Sequence, residues 1–130
     1  MHLESPVVRL QKSRTEVFAF LSNLENFERL MPDSIQTFQV LDTDTFRFGL
    51  KGMPEIVLKR KEQQVPDFIT LGAASDKLPF TLRASLKEVG PQETEVRLDF
   101  DGEFNAMMAM MIKNPLSNFL EALASKLNNW

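Results

Sequence analysis

Between Thr94 and Phe104 the chain alternates. Thr94, Val96, Leu98, Phe100, Gly102 and Phe104 fall on one side, and Glu95, Arg97, Asp99, Asp101 and Glu103 on the other. A period of two is that of a strand with one face on a core and one on water. The segment before it repeats the pattern, with Phe80, Leu82, Ala84 and Leu86 inward and Thr81, Arg83, Ser85 and Lys87 outward. Facing residues of such a hairpin must share a face, so its register can shift only in steps of two. One register sets Lys87 against Glu95 and Arg83 against Asp99, while its neighbours on either side set Arg97 against Arg83 or Lys87. Each cross-strand pair is worth about 0.2–1 kcal/mol. Their consistent sign predicts the first register.

The same reading extends in both directions. From Ser34 to Phe104, turn signals at Asp42-Thr43-Asp44, Gly52-Met53-Pro54, Val65-Pro66-Asp67, Asp76 to Pro79 and Gly90-Pro91 divide the chain into about six strands, spaced as an antiparallel meander. Upstream, Val7 to Leu10 reads as a short strand. Ser13-Arg14-Thr15-Glu16 then fits a capping box, and Val17, Phe18, Phe20, Leu21 and Leu24 recur at helical spacing. Asn23 is a candidate cap for a second short helix, which Pro32 stops. After Asn105 the period becomes helical again: Met108, Ile112, Leu116, Phe119, Leu123 and Leu127 form one stripe, with Lys113, Ser117, Glu121 and Lys126 mostly opposite. Pro115 interrupts it without changing its phase, which favours one long helix with a local kink or 3₁₀ defect over two helices, the first ending near Lys113 and the second capped by Asn114-Pro115. The result is one α+β domain over residues 1–130, in the order β-α-α-β6-α.

That order is the one of the helix-grip fold, in which a curved antiparallel sheet, here of about seven strands, wraps a long C-terminal helix. The segment T-E-V-F-A-F-L-S-N-L-E-N-F-E-R-L-M-P-D (Thr15 to Asp33) resembles the early helical pair of the SRPBCC superfamily. The superfamily contains the START lipid-transfer domains, the polyketide cyclase/dehydrase-like proteins and the birch-pollen-allergen group. The ending N-P-L-S-N-F-L-E-A-L-A-S-K-L (Asn114 to Leu127) is similar to its last helix. The resemblance covers nearly the whole chain in element order, although only these two stretches are specific and neither holds a catalytic signature. It implies a cavity between the sheet and the last helix, often filled by a lipid, polyketide, sterol or other apolar molecule. Physics gives a reason: a strongly curved sheet and one helix do not easily fill the space between them at native density.

Composition narrows the chemistry. Hydrophobic residues are 43% and charged residues 25% of 130 residues, the balance of a soluble domain with one core. The net charge of −3 gives no electrostatic case for nucleic acid. The absence of cysteine excludes disulfides, thiol nucleophiles and cysteine-ligated metals. The longest apolar run, Ala106 to Ile112, is far short of the roughly 20 residues that span a bilayer. No segment has the pattern of a signal peptide, so a cytoplasmic location is expected. The sole histidine, His2, is expected at a frayed terminus, and tyrosine is absent. No nucleophile elbow, phosphate loop or metal motif occurs. Catalytic residues, metal and cofactor are therefore all expected to be absent. The acid pairs Asp42/Asp44, Glu93/Glu95 and Asp99/Asp101 read as solvated.

The alternation assigns a cavity lining of Phe46, Phe48, Ile56, Leu58, Leu71, Phe80, Leu82, Ala84, Val96, Leu98 and Phe100, faced by Met107, Met108 and Met111 of the last helix. Continuing the inward row would carry Arg60 to the cavity mouth, where it could meet an anionic headgroup; a surface position is the alternative. Large side chains could also simply fill the interior. These residues favour noncatalytic binding or transport of an apolar, lipid-like small molecule. Two alternatives stay open. One is a cyclase/dehydrase-like enzyme; the other is an interaction module that uses the Met-rich helix start, for example as a homodimer through Met110.

Overall fold

The chain folds around its last helix. In a computed structural model that describes residues 1–74 and 80–130, eight strands form one antiparallel sheet. They are β1 (His2–Glu4), β2 (Val8–Leu10), β3 (Ile35–Asp42), β4 (Thr45–Leu50), β5 (Ile56–Gln64), β6 (Phe68–Ala73), β7 (Phe80–Gly90) and β8 (Glu93–Gly102). Strands β3 to β8 follow one another as a meander, and both β1 and β2 pair with β8 at the far edge. The expected turn at Asp76 to Pro79 lies outside the described residues.

Local chemistry sets the helices. Ser13 accepts a hydrogen bond through Oγ from the Glu16 amide at 3.2 Å and opens α1 (Arg14–Ser22). Asn23 caps the next element in the same way, from the Glu25 amide at 3.3 Å. That element, Leu24–Leu30, is a 3₁₀ helix, and it buries Leu24, Phe27 and Leu30. Asn105 caps α2 (Ala106–Asn128), its Oδ1 accepting from the Met108 amide at 2.8 Å. Pro115 lies inside α2, which runs on as a single helix.

The hairpin of β7 and β8 takes the register that the charges predict, with Lys87 opposite Glu95 and Arg83 opposite Asp99. Strand β1 is the element the pattern did not announce. His2 is paired with Asp101 rather than frayed, and Ser5-Pro6 separates β1 from β2 along the same edge. The Ser5 amide donates to the Leu98 carbonyl at 2.8 Å, and the Leu98 amide donates to Ser5 Oγ at 3.0 Å. The proline therefore interrupts the strand without detaching it.

Candidate functional site

Of the lining residues expected from alternation, Phe46, Phe48, Ile56, Leu58, Leu71, Leu82, Ala84, Val96, Leu98 and Phe100 are buried on the inner face of the sheet, and Phe80 is partly buried at its end. They divide into two groups. Phe46 and Phe48 belong to a filled cluster: Phe48 stacks on Phe119 of α2 at 5.0 Å, and Phe46 stacks on Phe27 and Phe38, each at 5.3 Å. Ile56, Phe80 and Phe100 instead converge under the first turns of α2, with Met108 as their helical partner. There Phe80 stacks on Phe100 at 5.2 Å, and Phe100 stacks on Phe104 at 6.3 Å.

This second group surrounds the interior site. Its described lining is completed by Met53, Pro54, Phe104, Ile112 and Leu116. Met53-Pro54 carried only a turn signal in the sequence. In this turn Gly52 takes a φ of 88°, a left-handed conformation that glycine adopts without strain. All nine described lining residues are apolar, so no acid, base or hydroxyl among them faces the space. The cavity is closed, at about 10 Å³. A single water needs about that much probe-occupied volume, and ligand pockets run from about 300 Å³ upward. Among the described residues, the side chains leave almost no free space at this site.

Two expected lining residues face the other way. Met107 is 81% exposed and Met111 52% exposed, beside Met110 at 82%. Helix phase is the reason. At 100° per residue, the buried stripe from Met108 to Leu127 centres roughly 70° from Met108, which leaves Met107 about 170° away and Met110 and Met111 about 130° away on either side. An all-apolar run hides this phase, which is set by Ile112, Leu116, Phe119, Leu120, Leu123, Ala124 and Leu127 downstream.

Arg60 is not at the cavity mouth either. Its Nε donates to Asp44 Oδ1 at 3.0 Å, Nη1 to Gln63 Oε1 at 2.8 Å, and Nη2 to the Ser22 carbonyl at 2.6 Å. The guanidinium thus clasps β5 to the β3–β4 turn and to the carbonyl end of α1, where a cation is favoured. Thr94, the other inward polar residue, spends its hydroxyl on the Lys12 carbonyl at 2.8 Å.

The outer side of the sheet differs in character. A shallow depression of about 640 Å³ there is bordered by His2, Lys61, Gly72, Thr81 and Asp101, among others. Next to it His2 lies among carboxylates. Its Nδ1 is 2.6 Å from Asp101 Oδ1 and its Nε2 is 3.0 Å from Glu4 Oε1. The hydrogen bonds to Glu4 and then Asp101 hold the imidazole pKa above its usual value, and the bond from His2 holds that of Glu4 below the ordinary carboxylate value. Asp99, read from sequence as solvated, is buried.

No family model matches this chain, and no curated protein matches it significantly. Solved structures do. It is similar to a START superfamily protein from Mycobacterium smegmatis, at 16% identity and a TM-score of 0.71 over 98% of this chain and 94% of that one. A norcoclaurine synthase point mutant from Thalictrum flavum, in complex with a transition-state analogue, gives 7% identity and a TM-score of 0.72 over 99% and 95% of the two chains. The di-domain ARO/CYC BexL of the BE-7585A biosynthetic pathway gives 13% identity and 0.65 over 98% of this chain and 46% of its own length. At these identities the likeness is one of fold.

Proposed function

Because the chain has the START-like helix-grip fold of the SRPBCC superfamily, and because the described wall of its interior site is entirely apolar, we propose that it binds an apolar, lipid-like small molecule and does not transform it. The apolar wall carries the reading. Dispersion and exclusion of water hold such an occupant, whereas a cyclase/dehydrase-like reaction needs an acid or base in the cavity. The closed volume requires movement before binding. The first turns of α2 are the part suited to it: Met107, Met110 and Met111 are exposed there, while Leu116 to Leu127 carry the buried stripe. Met108, Phe104 and Met53 are partly buried and yield first, an unbranched thioether being the side chain that adapts most easily.

The test is organic extraction and mass spectrometry of protein purified without detergent, followed by titration with Nile red, a neutral apolar dye. A copurifying apolar molecule, or saturable dye binding that Met108→Asp abolishes, supports the reading. The absence of both a copurifying molecule and saturable dye binding would sink it.

The exposed methionines favour a second reading, self-association through the Met110 face. Light scattering then gives a mass that rises with concentration and returns to 14.9 kDa in Met110→Glu; a constant 14.9 kDa excludes it. No helix among the described residues is long and apolar enough to cross a membrane, and with no cysteine in the chain a cytoplasmic location is part of the proposal.

A further inference from the structure

The pairing of β1 with β8 places His2 opposite Asp101 and Glu4 opposite Asp99. Residues two apart on a strand share a face, so one imidazole and three carboxylates meet on the outer side of the sheet, while Leu3 and Phe100 between them turn inward. His2 Nε2 is 3.0 Å from Glu4 Oε1 and 3.7 Å from Asp99 Oδ1. All three donor atoms lie within 4.8 Å of one another. Donors bound to a tetrahedral ion at about 2.1 Å sit about 3.4 Å apart, so small side-chain rotations would bring these atoms to binding distance.

Two further observations point to a cation. A carboxylate can only accept, so each ring nitrogen that meets one donates a proton to it: Nδ1 to Asp101 Oδ1 at 2.6 Å and Nε2 to Glu4 Oε1 at 3.0 Å. With Nδ1–H held by Asp101, Nε2 is the nitrogen that would exchange its proton for a metal between Glu4 and Asp99, the arrangement in which a second carboxylate orients a metal-binding histidine. Independently, Asp99 is 8% exposed, and its Oδ1 is buried with no hydrogen-bond partner among the described residues. An orphaned buried carboxylate oxygen is costly, and this one is aimed into the cluster. Its other oxygen, Oδ2, accepts from Arg97 Nε at 3.2 Å. Arg83, opposite Asp99 in the ladder, turns away: its Nε donates to Thr70 Oγ1 at 3.0 Å and its guanidinium lies over Phe68 at 4.4 Å. Three carboxylates face only the guanidinium of Arg97 and the ring of His2, so the cluster keeps a net negative charge.

We infer that His2, Glu4 and Asp99 bind one divalent transition-metal ion, with Asp101 as the positioning residue for the imidazole. One imidazole nitrogen and two carboxylate oxygens, without thiolate, form a borderline donor set that suits Zn²⁺ better than Cu⁺ or Ca²⁺. Without the ion the same pocket holds a proton on Nε2, so metal and proton compete and binding strengthens as pH rises. The site lies on the opposite face of the sheet from the interior one, and the inference does not rest on the proposed apolar occupant.

The experiment uses untagged, chelator-treated full chain titrated with ZnCl2 by calorimetry, together with nitrogen chemical shifts of the sole histidine ring. The expected result is one equivalent of Zn²⁺, a displaced Nε2 resonance and a retained proton on Nδ1. Glu4→Gln, Asp99→Asn and Asp101→Asn should each weaken binding by about 10–100-fold. Glu4 and Asp101 are exposed, so their variants keep the fold and decide the matter even where Asp99→Asn does not. No binding, metal on Nδ1, or wild-type affinity in Glu4→Gln would each overturn the inference.

Discussion

Truncating one phenylalanine of each aromatic cluster separates a filled core from a wall built to open. Phe48 is 1% exposed and stacks on Phe119 at 5.0 Å. Phe48→Ala removes a fully buried ring from a region that can relax little, at a cost of about 3–5 kcal/mol. Phe104 is partly exposed and meets Phe100 at 6.3 Å, so Phe104→Ala should cost about half as much, roughly 1.5–2.5 kcal/mol. An unfolding entropy of about 2.1 cal/mol/K per residue gives about 270 cal/mol/K for this chain, or about 4 °C for each kcal/mol. Thermal melts followed by circular dichroism should therefore fall by about 11–18 °C for Phe48→Ala and about 6–9 °C for Phe104→Ala. Nile red titration completes the assay: Phe104→Ala should bind the dye more tightly than the parent, because a partly exposed part of the wall rather than the core has been cut, and Phe48→Ala should not. Equal losses of stability, or tighter dye binding in both variants, would refute the division into core and wall.

Three other expectations follow from particular contacts. Arg60→Lys keeps the charge but cannot reach Asp44, Gln63 and the Ser22 carbonyl together, so chemical denaturation should show a loss of about 1–3 kcal/mol, with dye binding unchanged. In Gly102→Ala the new Cβ would lie 2.5 Å from Phe104 Cε2 and 3.0 Å from Phe80 Cβ. The Phe104 ring must swing out, and tighter dye binding should accompany a loss of about 1–3 kcal/mol. His2 has a folded-state pKa raised from 6.5 by its hydrogen bonds to Glu4 and then Asp101. Its contribution is thus fully present below pH 6.5 and is lost as pH rises through the folded value. With chelator present, the NMR titration midpoint of His2 should lie above 6.5, and Leu3 amide protection should fall over the same range; a midpoint at or below the ordinary value contradicts the contacts.

The sheet was readable because β7 and β8 are long and half-solvated, so period two and charge sign together fix both face and register. Strand β1 has three residues, His2–Glu4, too few for a period; it exists because β8 offers an edge, and that is a tertiary fact. The same limit applies at Met107 to Met111, where every residue of the run is apolar and the phase is imposed from Ile112 onward. Arg60 continues the inward row and lies opposite Leu71 in the ladder, but its long side chain reaches past the sheet, and the guanidinium finds the oxygens of Asp44 and of the end of α1 instead. Whether Phe80, Phe100, Phe104 and Met108 leave a void or fill it depends on rotamers. Alternation places side chains on a face and is silent about how tightly they close.

Strand β8 lies between the two proposed sites, and β1 pairs with it beside both. Inward, Phe100 forms the apolar wall with Phe80 and Phe104; outward, its neighbours Asp99 and Asp101 meet His2 and Glu4. Leu3, between those two, lies opposite Phe100 and packs against the core. An ion at the outer cluster would add a fastening to a three-residue edge strand and so would stiffen the wall behind Phe100. Thermodynamic linkage then makes the effect reciprocal: if Zn²⁺ changes the affinity for an apolar occupant by some factor, the occupant changes the affinity for Zn²⁺ by the same factor. Nile red titrations with and without ZnCl2, paired with calorimetry with and without the dye, measure the two factors separately. Equal factors different from one would establish that β1 couples the two faces of β8. Factors of one would mean that each face works independently, with β1 serving the outer site alone.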